Sequence, residues 1–114
     1  IILKFKIKSG AIEKAFVKND PLAALKLGQA RASAMIALGE NKIEVSEYAP
    51  NYVKKIFTGR GHATKEEVER MASLQFPKVS FARSDEADAL AIAICHMHTL
   101  KLNSTLSNAI KKAM

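Results

Sequence analysis

Residues 20 to 41, DPLAALKLGQARASAMIALGEN, leave the chain little freedom of fold. Asp20 suits a helix N-cap, Pro21 its first turn and Gly39 its stop, so the pattern predicts a helix from Pro21 to about Leu38. Leu22, Leu25, Gln29, Ser33 and Ile36 fall near one another on it. Small residues at Ala23, Ala24, Gly28, Ala30, Ala32 and Ala34 permit close packing on more than one side. Either the helix is buried against a sheet, or it also packs on its twin in a dimer. On one side of it, SGAIEKAFV (9–17) reads as a strand, with Ala11, Glu13 and Ala15 opposite Ile12, Lys14 and Phe16. On the other, KIEVSEYA (42–49) alternates Ile43, Val45 and Glu47 against Glu44, Ser46 and Tyr48, and Pro50 ends it. The leading IILKF is too short to classify.

Helices dominate the remainder of the chain. NYVKKIF (51–57) makes a short one, and the T-x-x-E pattern of Thr64 and Glu67 opens KEEVERMASLQF (65–76), which Pro77 breaks. Between them TGRGHA is a loop, since Gly59 and Gly61 both invite backbone angles other residues avoid. Ser84 is placed to cap a long helix from Asp85 to about Leu102, and the basic tail NSTLSNAIKKAM could extend it. Strand, helix, strand, then helices is an α/β order with too few strands for a complete sheet.

At 114 residues the chain is one domain, or part of one. With no Trp and few aromatic residues, the core must come from Ala, Ile, Leu, Val and Met. A net charge of +7 favours a polyanionic partner, nucleic acid before membrane. Cys95 is the single cysteine, which rules out an internal disulfide and fits a reducing compartment. No apolar run approaches the ~20 residues of a membrane span. IILKFKIK has too short an apolar core, and no small-residue cleavage site, for a secretion signal.

Chemistry concentrates in two places. Asp85 and Asp88, three apart, share one helix face and can converge on a point. Glu13 sits in a strand otherwise fit for burial, where a carboxylate is costly unless paired or bound to a cation. Oxygen ligands of this kind suit Mg²⁺ or Mn²⁺ rather than Zn²⁺. The plainer explanation of the aspartates is compensation of the helix dipole, and Glu13 could occupy a solvated face. Lys54, Lys55, Arg60, His62 and Lys65 surround the two loop glycines and form a basic segment fit to grip phosphates, or simply a solvated turn. His96 and His98, two apart on a helix, point in different directions, so surface or helix-end roles are expected. Cys95 is expected to pack as a small apolar residue.

Taken together, AIEKAF, ALKLGQARASA, EYAPNYVKKIFTGRGHATKEEVERM and SDEADALAIAICHMH resemble, in that order, the RuvC family of bacterial Holliday-junction resolvases. The resemblance runs from about Ile1 to His98. It implies an RNase H-like α/β fold, a homodimer, and four acidic residues holding two Mg²⁺ ions per subunit, with Mn²⁺ able to substitute. That site nicks DNA at four-way junctions in recombination and repair. By matching motif, Glu13, Asp85 and Asp88 look like three of the four acids. Phe16 resembles the aromatic residue that stacks near the junction point. Lys54 and Lys65 match basic residues assigned to DNA contact and phosphate stabilisation, with Lys55 and Arg60 beside them. The helix 21–38 resembles the dimer helix, and the resemblance further implies a cytoplasmic bacterial setting and a branch-migration helicase complex as partner.

The family's first strand carries an IDPG segment with the fourth acid, and nothing like it precedes Ile1. Residues 1–114 therefore look like a single nuclease domain, the C-terminal two thirds of such a protein. An uncovered apolar strand edge would result, prone to pair with other chains. Two alternatives stand beside nuclease activity: a remnant that binds branched DNA or dimerises without cutting, and a generic basic α/β interaction domain.

Overall fold

Asp20 starts the main helix as its position predicts. In the computed structural model, which describes residues 1–14 and 19–114, the Asp20 carboxylate accepts the N–H groups of Leu22 at 3.1 Å and Ala23 at 3.2 Å. The resulting helix α2 spans Pro21–Glu40, slightly longer than expected. Its stop is not Gly39, which stays inside the helix, but Asn41. The Asn41 amide donates to the Ala37 carbonyl at 2.7 Å and satisfies one of the last-turn acceptors. Lys42 then turns the chain with φ 56°.

The helix crosses between two parallel strands, β1 (Ser9–Glu13) and β2 (Glu44–Tyr48), with Ser9 opposite Glu44 and Glu13 opposite Tyr48. A parallel pair needs such a crossover, since a tight hairpin cannot reverse direction twice. The Lys14 N–H donates to the Tyr48 carbonyl at 2.9 Å and carries the pairing one residue further. The expected continuation of this strand through Phe16 to Val17 lies outside the described residues. Ahead of β1, Ile2–Phe5 forms a single helical turn, α1, closed by Lys6 in the left-handed region.

Of the two explanations offered for α2, burial against a sheet is not what is found. None of its residues is buried, and Leu22, Leu25 and Ile36 are 70%, 59% and 59% exposed. Two strands present too narrow a face to cover a twenty-residue helix. Close approach occurs at Gly10, where an added Cβ would stand 2.7 Å from Leu38 Cδ1. A side chain at this position would require the end of Leu38 to shift.

The chain forms two compact units, Ile1–Pro50 and Asn51–Met114. The second is helical: α3 (Pro50–Thr58, entered from the end of the first unit), α4 (Lys65–Gln75) and α5 (Ser84–Ala113). Each buries one stripe at helical spacing: Val53 and Phe57 on α3, Val68 and Ala72 on α4, Ala87, Ala91 and Cys95 on α5. Helices α4 and α5 pack on each other, and alanines on both stripes let their backbones approach closely. The Gln75 amide donates to the Phe57 carbonyl at 3.4 Å, and the hydroxyls of Tyr52 and Thr99 lie 3.4 Å apart, linking α3 to α4 and α5.

Leu and Met, expected in the core, are absent from the buried hydrophobic residues described, which are Ala, Val, Ile, Phe, Tyr and Cys. Alanine and Cys95 line much of the contact between the helices, with Val53, Phe57 and Val68 beside them. Cys95 packs as the small apolar residue it was expected to be, and burial raises its thiol pKa, with a hydrogen bond to Thr99 partly offsetting the effect. Helix α5 runs past Leu102 through the basic tail without a break. Among the described residues, no helix is long and apolar enough to cross a membrane.

Candidate metal and nucleic-acid site

The head of α5 differs from expectation in a way that bears on its acids. Ser84 is the first helical residue rather than the cap, and Arg83 occupies the N-cap without a side-chain capping bond. The Glu86 carboxylate accepts the N–H of Ala82, one residue ahead of the cap, at 2.9 Å. One acid of the first turn is thus engaged with the segment that enters the helix. Asp85 is exposed, its carboxylate 3.8 Å from Arg83, and Asp88 lies one turn on, half-buried. An exposed ion pair at that separation contributes little and exchanges readily. A solvent-open groove of about 560 Å³, lined by Glu69, Ser73, Ser80, Phe81, Arg83 and Ser84 among others, runs up to this end of the helix.

Glu13 lies on β1, opposite Tyr48 of β2, and is half-buried. Its main chain is held by a residue that sequence reasoning passed over. The Arg31 guanidinium, reaching down from α2, donates to the Glu13 carbonyl through one nitrogen and to the Glu47 carboxylate at 3.3 Å through another. A lone arginine among small apolar residues, with no acid three or four positions away on its helix, was the available signal. Glu13 belongs to the first unit, and Asp85 and Asp88 to the second. Within either unit, no three His, Cys, Asp or Glu side chains among the described residues stand close enough to hold a metal ion.

The basic segment is a structured connection. Thr58, ending α3, donates its hydroxyl toward the carbonyls of Lys54 at 2.7 Å and Arg60 at 3.0 Å and accepts the Arg60 N–H at 3.1 Å. Gly59 takes φ 85°, as its type allows, but the second left-handed residue is His62, φ 59°, rather than Gly61. Histidine tolerates that region better than most side chains. Thr64 and Glu67 form the complete capping box expected of them, and a second Glu67 interaction holds Arg60 at 2.9 Å. Lys65 is the first residue of α4, where its charge opposes the positive end of the helix dipole. Lys55, Arg60 and Lys65 are exposed, and Lys54 is half-buried.

The histidine expectation divides. His98 is exposed, but His96 is buried, because it lies next to the Cys95 stripe of α5 rather than at a helix end. Phe16, expected near the site, lies outside the described residues.

Comparison with known proteins converges on one family. The family model for crossover junction endodeoxyribonuclease RuvC matches residues 1–96. A protein of that name from Paracoccus denitrificans is 48% identical over 101 residues, covering 89% of this chain and 62% of its own length. One from Cereibacter sphaeroides is 43% identical over 113 residues, covering 99% of this chain and 67% of its own length. Two solved structures, Thermus thermophilus RuvC and the same protein in complex with Holliday junction substrate, superpose with TM-scores of 0.77 and 0.79 at 33% identity. Each covers 90% of this chain and 62% of its own. The chain thus spans about three fifths of the Paracoccus and Thermus proteins it matches. Its α/β architecture is RNase H-like, and the chain belongs to the RuvC family.

Proposed function

We propose that this chain serves a structure-selective endodeoxyribonuclease that resolves four-way DNA junctions by Mg²⁺-dependent phosphodiester hydrolysis in recombination and repair. The observation that carries the reading is family membership, together with Asp85 and Asp88 on the first two turns of α5. Their carboxylates are the proposed cation ligands. Their oxygen donors, like that of Glu13, are of the type that suits Mg²⁺ or Mn²⁺, and the family resemblance implies two such ions per subunit. When bound, the ions supply a water of lowered pKa and charge to steady the leaving 3′ oxygen.

The chain's own residues do the rest. Glu13, Asp85 and Asp88 would hold the cations, which would offset the carboxylate charge. Lys65, with Lys54 beyond it, offsets charge that builds on the phosphoryl oxygens. Lys55 and Arg60 bind the backbone, and Phe16 stacks near the junction point. A second copy joined through α2 presents a second site to the opposite strand, which makes the nicks symmetric. A cytoplasmic setting and a branch-migration helicase complex complete the proposal.

One alternative reading is binding of branched DNA, or dimerisation, without cutting. A synthetic four-way junction with Mg²⁺ distinguishes the two. The expected outcome is nicking by the parent chain and, in Asp88→Asn, a loss of more than about 100-fold with junction binding retained, since a metal ligand matters at least as much as the groups that orient it. Binding without nicking by the parent establishes the alternative. Equal nicking by parent and D88N shows that Asp88 is no ligand.

A further inference from the structure

Arg60 is fixed from both ends. Its main chain is tied to the end of α3 by the Thr58 hydroxyl, and its side chain to the start of α4 by Glu67. The Glu67 carboxylate divides its oxygens: one receives Arg60 at 2.9 Å, the other the Thr64 N–H at 3.2 Å. The Glu67 N–H in turn donates to the Thr64 hydroxyl at 3.2 Å, so the carboxylate that grips Arg60 is itself anchored to the helix. The Arg60 side chain remains 64% exposed. With one guanidinium nitrogen engaged by Glu67, the remaining N–H groups stay open to solvent in the planar fork that matches a phosphate.

Helix capping explains only part of this arrangement. A neutral Gln at the same place would cap as well, and a carboxylate in a basic loop repels phosphate. We propose that Glu67 is a positioning residue for phosphate capture, holding the Arg60 guanidinium with its open edge toward a nucleic-acid phosphate, between the lysines of α3 and α4. This role rests on the proposed DNA binding and deepens it. Restricting the long Arg side chain beforehand lowers the entropy lost on binding, and this gain outweighs the repulsion from the Glu67 charge.

The sign of one substitution separates the proposal from simple electrostatics. Glu67→Gln keeps the cap and makes the loop more positive, so charge alone would tighten DNA binding. Positioning predicts that E67Q binds a synthetic four-way junction about two- to fivefold more weakly than the parent, the range expected of an exposed ion pair. In an Arg60→Gln background the same change should not weaken binding, because nothing remains to be positioned. Affinity measured across a salt series for parent, both single variants and the double variant provides the test, with melting temperatures to confirm that the cap survives. Equal or tighter binding by E67Q overturns the proposal, as does equal weakening in both backgrounds. A parent that fails to bind junction DNA at any salt concentration overturns the underlying DNA-binding function and the positioning role with it.

Discussion

Arg31 stands in α2 with Leu27 four residues before it and Met35 four after, so no acid on its own helix can pair with it. Its partners are the Glu13 carbonyl and the Glu47 carboxylate, and through them one side chain joins the helix to the ends of both strands. Arg31→Ala should cost about 1–2 kcal/mol, the loss of charged hydrogen bonds discounted for partial exposure. Urea denaturation checks this, with Arg31→Lys recovering only part because an ammonium cannot reach both acceptors as a fork does. An unchanged midpoint for R31A would show the clamp to be idle. Such residues divide what a sequence can reveal. Asp20, Thr64 and Glu67 were legible because capping is local, acting within three residues. Arg31 was not, because its partners lie sixteen and eighteen positions away. Ser84 was misread by one position: Arg83 takes the N-cap, without a side-chain capping bond.

Among the elements, α2 was the easiest to delimit and the hardest to place. Its cap and length follow from Asp20, Pro21 and the alanine run, but which of its faces is covered depends on neighbours that the periodicity of one helix does not specify. Leu22, Leu25 and Ile36 stand in solvent, and exposed apolar stripes of this kind mark association surfaces. If α2 joins two copies, Leu25→Glu leaves the monomer intact, since the glutamate then sits in water, but puts an unpaired charge into the dimer. Sedimentation velocity should show a concentration-dependent dimer for the parent and, for L25E, association weakened by more than about tenfold. Identical behaviour of the two would remove α2 from the interface. Helix α5 teaches the complementary lesson. Its start near Asp85 was legible in the sequence, but its continuation to Ala113 was not, because a polar basic stretch carries no burial signal to mark it as helical.

For the molecule as a whole, the α/β order of the two strands and the helix between them was written in alternation and capping. The division into Ile1–Pro50 and Asn51–Met114 was not. No Pro/Gly-rich linker separates the units, and α3 begins at the boundary itself. That division defines the functional question. Glu13 belongs to one unit, Asp85 and Asp88 to the other, and the proposed chemistry requires carboxylates from both to share cations. Binding of Mn²⁺, followed by its paramagnetic resonance in the parent, Glu13→Gln and Asp88→Asn, measures this without reliance on turnover. The account predicts that the parent binds and that either substitution, made in either unit, removes the same bound ion. Undiminished Mn²⁺ binding by E13Q, with D88N impaired, would contradict it.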